Sequence, residues 1–191
     1  MEKNMFSASD LRKGLKIETE GAPYVITDFQ FTKPGKGQAL YTCKLKNLLN
    51  GSTMTRTYRS NDKVGKPALS QKTLVYSYVD GDQYVFMDEN YEQVLVSADV
   101  LGDDRYFLKE DLEVEILYYN AMPVEVTLPN FVEKIITKTE PGARGNTATN
   151  VLKPATVEGG YEVQVPIFVN EGDLIKVDTR TGKYSDRVSK K

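Results

Sequence analysis

The chain has 191 residues, with one cysteine, no histidine and no tryptophan; 40% of residues are hydrophobic, 27% are charged, and the net charge is −2. This composition describes a folded soluble protein of one large or several small domains, with no apolar run near the roughly 18 residues of a membrane span. The missing histidine excludes Ser-His and Cys-His nucleophile pairs and His-containing zinc sites, and the lone Cys43 excludes an intramolecular disulfide or a multi-cysteine metal site.

Met1 to Lys13 is mixed polar and charged without an apolar core, so no secretory signal is read and a cytoplasmic location is expected. Ser7-Ala8-Ser9-Asp10 predicts a short capped helical turn closed by Gly14. Strands follow at Lys16–Glu18, Tyr24–Thr32, Ala39–Leu48 and Met54–Ser60, separated by Gly21-Ala22-Pro23, the Lys33–Gln38 loop and Asn50-Gly51. This predicts a small barrel of about five strands. Tyr41, Cys43 and Leu45 alternate with Thr42, Lys44 and Lys46, so one face packs, burying Cys43, and the other is basic. Within the loop, Pro34 and Gly35 predict a type II turn with positive φ at Gly35, leaving Lys36 at the far corner and Gly37 bare behind it. By itself the hexapeptide also fits an ordinary soluble hairpin end.

Gly65-Lys66-Pro67 reads as a linker. Beyond it, Thr73–Val79, an Asp80-Gly81 turn and Gln83–Met87 form a hairpin signal. A strand near Gln93–Val96, a short helix over Ser97–Leu101 ended by Gly102, Leu112–Tyr119, a turn at Asn120-Ala121-Met122-Pro123 and Val124–Leu128 complete an OB-type barrel. After a boundary at Pro129-Asn130 come a strand at Phe131–Lys138, a polar loop over Glu140–Leu152, strands at Tyr161–Pro166 and Leu174–Asp178, and a turn at Gly182 before the tail. The expected division is residues 1–66, 67–130 and 131–191. Their net charges of +6, −10 and +2 suggest polyanion contact through the ends and a solvent- or protein-facing middle.

In the last segment Lys153-Pro154-Ala155, Gly160, Val163, Val165-Pro166, Val169 and Gly172-Asp173 stand at spacings that resemble the signature of bacterial elongation factor P. Lys33-Pro34-Gly35-Lys36-Gly37-Gln38-Ala39 resembles the amino-terminal loop of the same family, and Val177-Asp178-Thr179-Arg180-Thr181-Gly182 its carboxy-terminal strand and turn. Pro129-Asn130-Phe131-Val132-Glu133 matches at the second boundary, so the likeness runs along essentially the whole chain. The resemblance implies an all-β protein: an SH3-like, KOW-type barrel followed by two OB-fold barrels in an L-shaped, tRNA-like arrangement. It implies a monomeric translation factor, not an enzyme, that binds the 70S ribosome between the peptidyl-tRNA and exit-tRNA sites and relieves stalling at consecutive prolines. No cofactor or metal is implied. Lys36 would be extended, with a β-lysyl group as the usual form, by a lysine-modifying enzyme, and would reach the CCA end of the peptidyl-tRNA.

Further residues follow from the same matches. Lys33 is read as a phosphate contact or a solvated turn lysine, and Lys44, Lys46, Arg56 and Arg59 as tRNA backbone contacts or plain surface charges. Arg144, Gly145, Asn146 and Thr147 fall in a loop that approaches the exit-site codon in the family; Asn146 replaces the usual aspartate, gaining donors and losing charge. Gly182-Lys183-Tyr184-Ser185-Asp186-Arg187 departs from the family's Gly-Glu-Tyr-Val-Ser-Arg, but Tyr184 and Arg187 remain to contact RNA, or to stand as a packed strand-end aromatic and a solvated arginine. Three other functions compete. A carboxylate enzyme would use Asp103-Asp104, Asp80 and Asp82, or Asp88-Glu89. A generic single-stranded RNA chaperone would bind RNA with no need of Lys36. A paralogue of elongation factor P would relieve a narrower set of stalls.

Overall fold

The computed structural model describes residues 4–141 and 151–189. Three antiparallel sheets carry almost all of its regular structure. The first is built from β1 (Met5–Ser7), β2 (Lys16–Thr19), β3 (Ala22–Thr32), β4 (Leu40–Asn47), β5 (Thr53–Arg59) and β6 (Lys63–Gly65), in the order β1-β6-β2-β3-β4-β5. It has six strands rather than the expected five. Gly65, expected to open the Gly65-Lys66-Pro67 linker, instead ends strand β6, which pairs with β1 through Met5–Gly65, Phe6–Val64 and Ser7–Lys63. Gly65 is required there, because a Cβ would lie 2.9 Å from the Glu18 carbonyl oxygen.

Local chemistry explains the joints of this sheet. The helical turn forms as a 3-10 turn over Ala8–Asp10, held by the Ser7 N–H donating to the Asp10 carboxylate at 2.8 Å. It ends at extended Leu11, before Gly14. Glu20 and Gly21, both at positive φ, make the two-residue turn into β3. Ala22 and Pro23 therefore lie in the strand, opposite Thr19 and Glu18, and not in a separator. Between β4 and β5 the buried Asn47 accepts the Leu49 N–H at 2.8 Å, fixing that turn. The apolar faces of β2 to β5 enclose Ile17, Ile26, Cys43 and Leu45, each fully buried. Each such aliphatic side chain contributes about 1.5–3 kcal/mol by leaving water.

The second sheet comprises β7 (Leu69–Asp80), β8 (Gln83–Met87), β9 (Gln93–Ser97), β10 (Glu113–Tyr119) and β11 (Met122–Thr127), in the order β11-β10-β7-β8-β9. Gly81 takes the positive φ its Asp-Gly turn requires, and helix α1 (Ala98–Leu101) stops at Gly102, also at positive φ. A 3-10 helix over Gly102–Phe107 continues from it. Asn120 and Ala121, at φ 48° and 63°, make the β10–β11 turn alone, so Met122 and Pro123 already belong to β11.

The third sheet comprises β12 (Phe131–Thr139), β13 (Leu152–Val157), β14 (Glu162–Pro166), β15 (Leu174–Asp178) and β16 (Lys183–Ser189), in the order β14-β13-β12-β15-β16. β13 begins at Leu152, the last residue of the expected polar loop, and runs to Val157 where no element was expected, and β16 takes the place of the expected tail. The chain divides into two compact units, Met1–Gln71 with Leu117–Glu125, and Lys72–Ile116 with Val126–Lys191.

Candidate functional site

The first unit carries a three-stranded stalk, in which β4 is central and pairs with β5 as far as Leu40–Arg59. β3 and β4 stay paired to Thr32–Leu40, whereas β2 accompanies β3 only from Ala22 to Val25. Ile26 still exchanges backbone hydrogen bonds with Gly14 and Leu15, and beyond it the six residues Thr27–Thr32 continue with β4 as their only strand neighbour among the described residues, about 20 Å of chain at 3.3 Å per residue. The loop at the end of the stalk holds Lys33, Pro34, Gly35, Lys36, Gly37 and Gln38, every one exposed. Among the described residues, neither Lys33 nor Lys36 has a hydrogen bond or ion pair within the chain. Both cations are left to an outside partner.

The loop is not the expected type II turn. Gly35 does not adopt positive φ; Gly37 does, at 129°. Thr32 and Leu40 close a loop of seven residues, which has room to reverse through bends at Gly35, Lys36 and Gly37 without the forced geometry of a two-residue turn. Lys36 thus lies between two glycines in an open loop.

The stalk has two chemically different faces, set by strand alternation. Lys44 and Lys46 point to solvent opposite Thr55 and Thr53, and Arg59 stands on the same face opposite Leu40. All three cations are exposed, forming a basic stripe of about 20 Å along β4. Asp28 is the acidic residue opposite Lys44. Arg56 lies on the other face, opposite Cys43, where its guanidinium donates to the Thr19 hydroxyl and pairs with Glu20. It holds the β5 edge to the β2–β3 turn and is separated from Lys44, Lys46 and Arg59. Cys43 is fully buried, and burial raises its thiol pKa, which suppresses thiolate chemistry.

A row of aromatic rings crosses the stalk on the Arg56 face. Phe31, Tyr41 and Tyr58 stand opposite one another on β3, β4 and β5. The Phe31 and Tyr41 centroids are 5.1 Å apart at 59°, and those of Phe29 and Tyr41 are 6.3 Å apart. Exposure rises from Tyr58 at 7% to Phe31 at 51%. Sequence reasoning passed over this row, although Phe29-x-Phe31 and Tyr41 repeat at the strand period. It also passed over the charge pattern around the row: from Phe29 to Asn61 the chain has six lysines and arginines and no carboxylate.

In the second unit Tyr184 and Arg187 lie on β16, opposite Val177 and Ile175. Arg187 is engaged within the fold. Its Nη1 lies 3.7 Å from the carboxylate of buried Asp173 and donates to the Phe168 carbonyl at 3.3 Å, and its guanidinium stacks on the Phe168 ring at 4.7 Å. Tyr184 is half-buried, and desolvation raises its phenol pKa. Arg144, Gly145, Asn146 and Thr147 lie outside the described residues. Of the carboxylates considered for catalysis, Asp104 has its pKa raised by burial and then by Asp103, whereas Asp88 accepts the N–H groups of Asn90 and Glu92 in its own turn. Among the described residues no group of three or more His, Cys, Asp or Glu side chains could hold a metal ion. No helix among them is long and apolar enough to cross a membrane.

Three family descriptions match along the chain: the elongation factor P (EF-P) KOW-like domain at residues 7–64, the elongation factor P (EF-P) OB domain at 69–126, and elongation factor P, C-terminal, at 132–187. The chain is 50% identical over 185 residues to elongation factor P of Desulfotalea psychrophila, covering 96% of this chain and 99% of that one. It is likewise 50% identical over 185 residues to elongation factor P of Syntrophus aciditrophicus, with the same coverage. Against elongation factor P 2 of Geobacter sulfurreducens it is 45% identical, covering 96% of this chain and 99% of the other. Among solved structures, eukaryotic translation initiation factor 5A from Methanococcus jannaschii superposes with a TM-score of 0.52 at 21% identity, over 64% of this chain and 95% of that one. That likeness is one of fold.

Proposed function

The chain belongs to the elongation factor P family, and on that premise we propose that it acts on ribosomes stalled at consecutive prolines. It is a translation elongation factor rather than an enzyme. In the proposed reading it binds the 70S ribosome as a monomer in the cytoplasm, between the peptidyl-tRNA and exit-tRNA sites. The stalk carries Lys36 to the CCA end of the peptidyl-tRNA. A lysine-modifying enzyme extends Lys36, with a β-lysyl group as the expected form. Lys33 and the rest of the Lys33–Gln38 loop line the approach. Lys44, Lys46 and Arg59 lie along tRNA phosphates, Arg144 to Thr147 meet the exit-site codon, and Tyr184 and Arg187 face the small subunit.

The observation that carries this reading is Lys36 itself, exposed between two glycines at the end of a stalk and without a partner among the described residues. A cation in a pocket of RNA, with little water to screen it, attracts phosphates far more strongly than in bulk solution. Prolyl substrates are stiff and hold their reacting groups badly. Fixing the peptidyl-tRNA in a reactive geometry removes part of the entropic barrier while the ribosome supplies the chemistry.

The test is primer extension on ribosomes translating a message with three successive proline codons. Added modified protein is expected to clear the stop at those codons and leave stops elsewhere unchanged. Persistence of the stop at saturating protein contradicts the proposal.

A further inference from the structure

We propose that Phe31, backed by Tyr41, is a stacking platform for one unpaired nucleobase of the RNA that the stalk approaches. The inference rests on the reading of the stalk as the RNA-facing arm and adds a contact to it. Phe31 is 51% exposed at the last turn of alternation before the loop, on the face of β3 that lower down packs the core at Ile26. Tyr41 packs against it in a tilted arrangement, with the centroids 5.1 Å apart and the planes at 59°. On the side of β3 away from β4 there is no strand neighbour at this height among the described residues, since β2 stops pairing at Val25. A ring held in place by a tilted neighbour and half exposed offers its open surface to a flat ligand.

Charge selects the kind of ligand. Lys44, Lys46 and Arg59 lie on the other face of the stalk and Arg56 is paired with Glu20, so the cations open to a ligand on the ring are those of the loop: exposed Lys33, two residues beyond Phe31 and about 7 Å along the chain, and Lys36. An apolar protein patch would find little matching surface here. An unpaired nucleotide matches both features, with its base on the ring and its phosphate near Lys33 or Lys36. Base–aromatic stacking of this kind is tolerant of base identity and is worth about 1–3 kcal/mol, or roughly five- to 150-fold in affinity.

The experiment uses the full chain and a hairpin RNA with an unpaired 3′ tail carrying 2-aminopurine. Because the protein has no tryptophan, the fluorescence of the probe is read without overlap. Wild-type protein is expected to alter the fluorescence of the tail on binding. Phe31→Leu, which keeps apolar contact with Tyr41 but loses the π face, should weaken binding by about tenfold with an unchanged melting temperature. Phe31→Tyr should bind as wild type does. The same three proteins are then compared in clearance of stalls at consecutive prolines.

If wild-type protein clears stalls and Phe31→Leu matches it in both assays, the inference fails and the proposed function stands. If wild-type protein clears no stall, the function fails and the inference falls with it. Equal losses in Phe31→Leu and Phe31→Tyr would show a packing role and overturn the inference. So would a wild-type dimer that Phe31→Leu abolishes, since a second copy would then be the occupant.

Discussion

Lys134 Nζ donates a 3.0 Å hydrogen bond to the Leu108 carbonyl oxygen. It does so from a side chain only 2% exposed, on β12 of the third sheet. Leu108 follows the 3-10 helix that leads toward β10, so this bond, with the Tyr106 and Phe107 rings packed on Tyr161, ties that segment to the third sheet within the second unit. Burial lowers the ammonium pKa below its ordinary 10.5; Glu158 opposes that shift and Lys109 adds to it.

The sign of the pH dependence follows. Between the lowered folded pKa and 10.5 the unfolded chain binds more protons than the folded one, so stability rises with pH across that window. Below the window the cost of the buried charge is fully present. Urea unfolding at neutral and alkaline pH should show wild-type protein gaining stability relative to Lys134→Met as pH rises. Equal pH dependence of the two proteins would contradict the assignment.

Gly182 makes a sharper packing prediction. It sits at φ +71°, its carbonyl accepts the Tyr161 hydroxyl at 2.9 Å, and a Cβ would fall 2.3 Å from that hydroxyl oxygen. Gly182→Ala should therefore cost about 1–3 kcal/mol, read from the urea midpoint. Gly160→Ala, at φ +85° but with nothing near its Cβ, carries the backbone strain alone and should cost less.

The two faces of the stalk should separate by salt dependence. Replacing Lys44, Lys46 or Arg59 by Gln is expected to lower the slope of log affinity against log salt by about one for each phosphate no longer neutralised. Arg56→Gln should leave that slope unchanged and lower stability slightly, by less than about 1 kcal/mol, because it breaks a partly exposed pair with Glu20. The readout is RNA or ribosome binding over a salt series, with thermal melting alongside.

Much of this architecture was legible in the sequence where side chains alternate strictly. β8 and β15 begin and end where expected, and the split between Tyr41, Cys43 and Leu45 on one side and Lys44 and Lys46 on the other is the observed one. β1 and β6 were missed because three residues carry too little pattern; each exists by pairing with the other across 56 residues or more of chain. β13 was missed because Pro154 reads as a breaker. The β12 ladder on β13 ends at Ala155, so the proline lies beyond it. β16 alternates weakly, because a bulge shifts its register between Lys176 and Val177.

At the stalk, the sequence was informative about which residues stand in the loop and less so about its conformation. Pro34-Gly35 carries the chemistry of a tight turn, but the strands stop at Thr32 and Leu40, and seven residues need no such turn. The role of Arg56 was hidden for a different reason: only the fold brings Glu20 and Thr19 to it.

The central claim concerns Lys36, and one measurement tests it most directly: the rate of synthesis of a reporter with three successive prolines in a reconstituted system. Modified wild-type, unmodified wild-type and Lys36→Ala proteins are compared, with a proline-free reporter as control. Modified wild type should accelerate the proline reporter, unmodified protein should do so less, Lys36→Ala should match buffer, and the control should not change. Acceleration by Lys36→Ala equal to that of modified wild type would contradict the account.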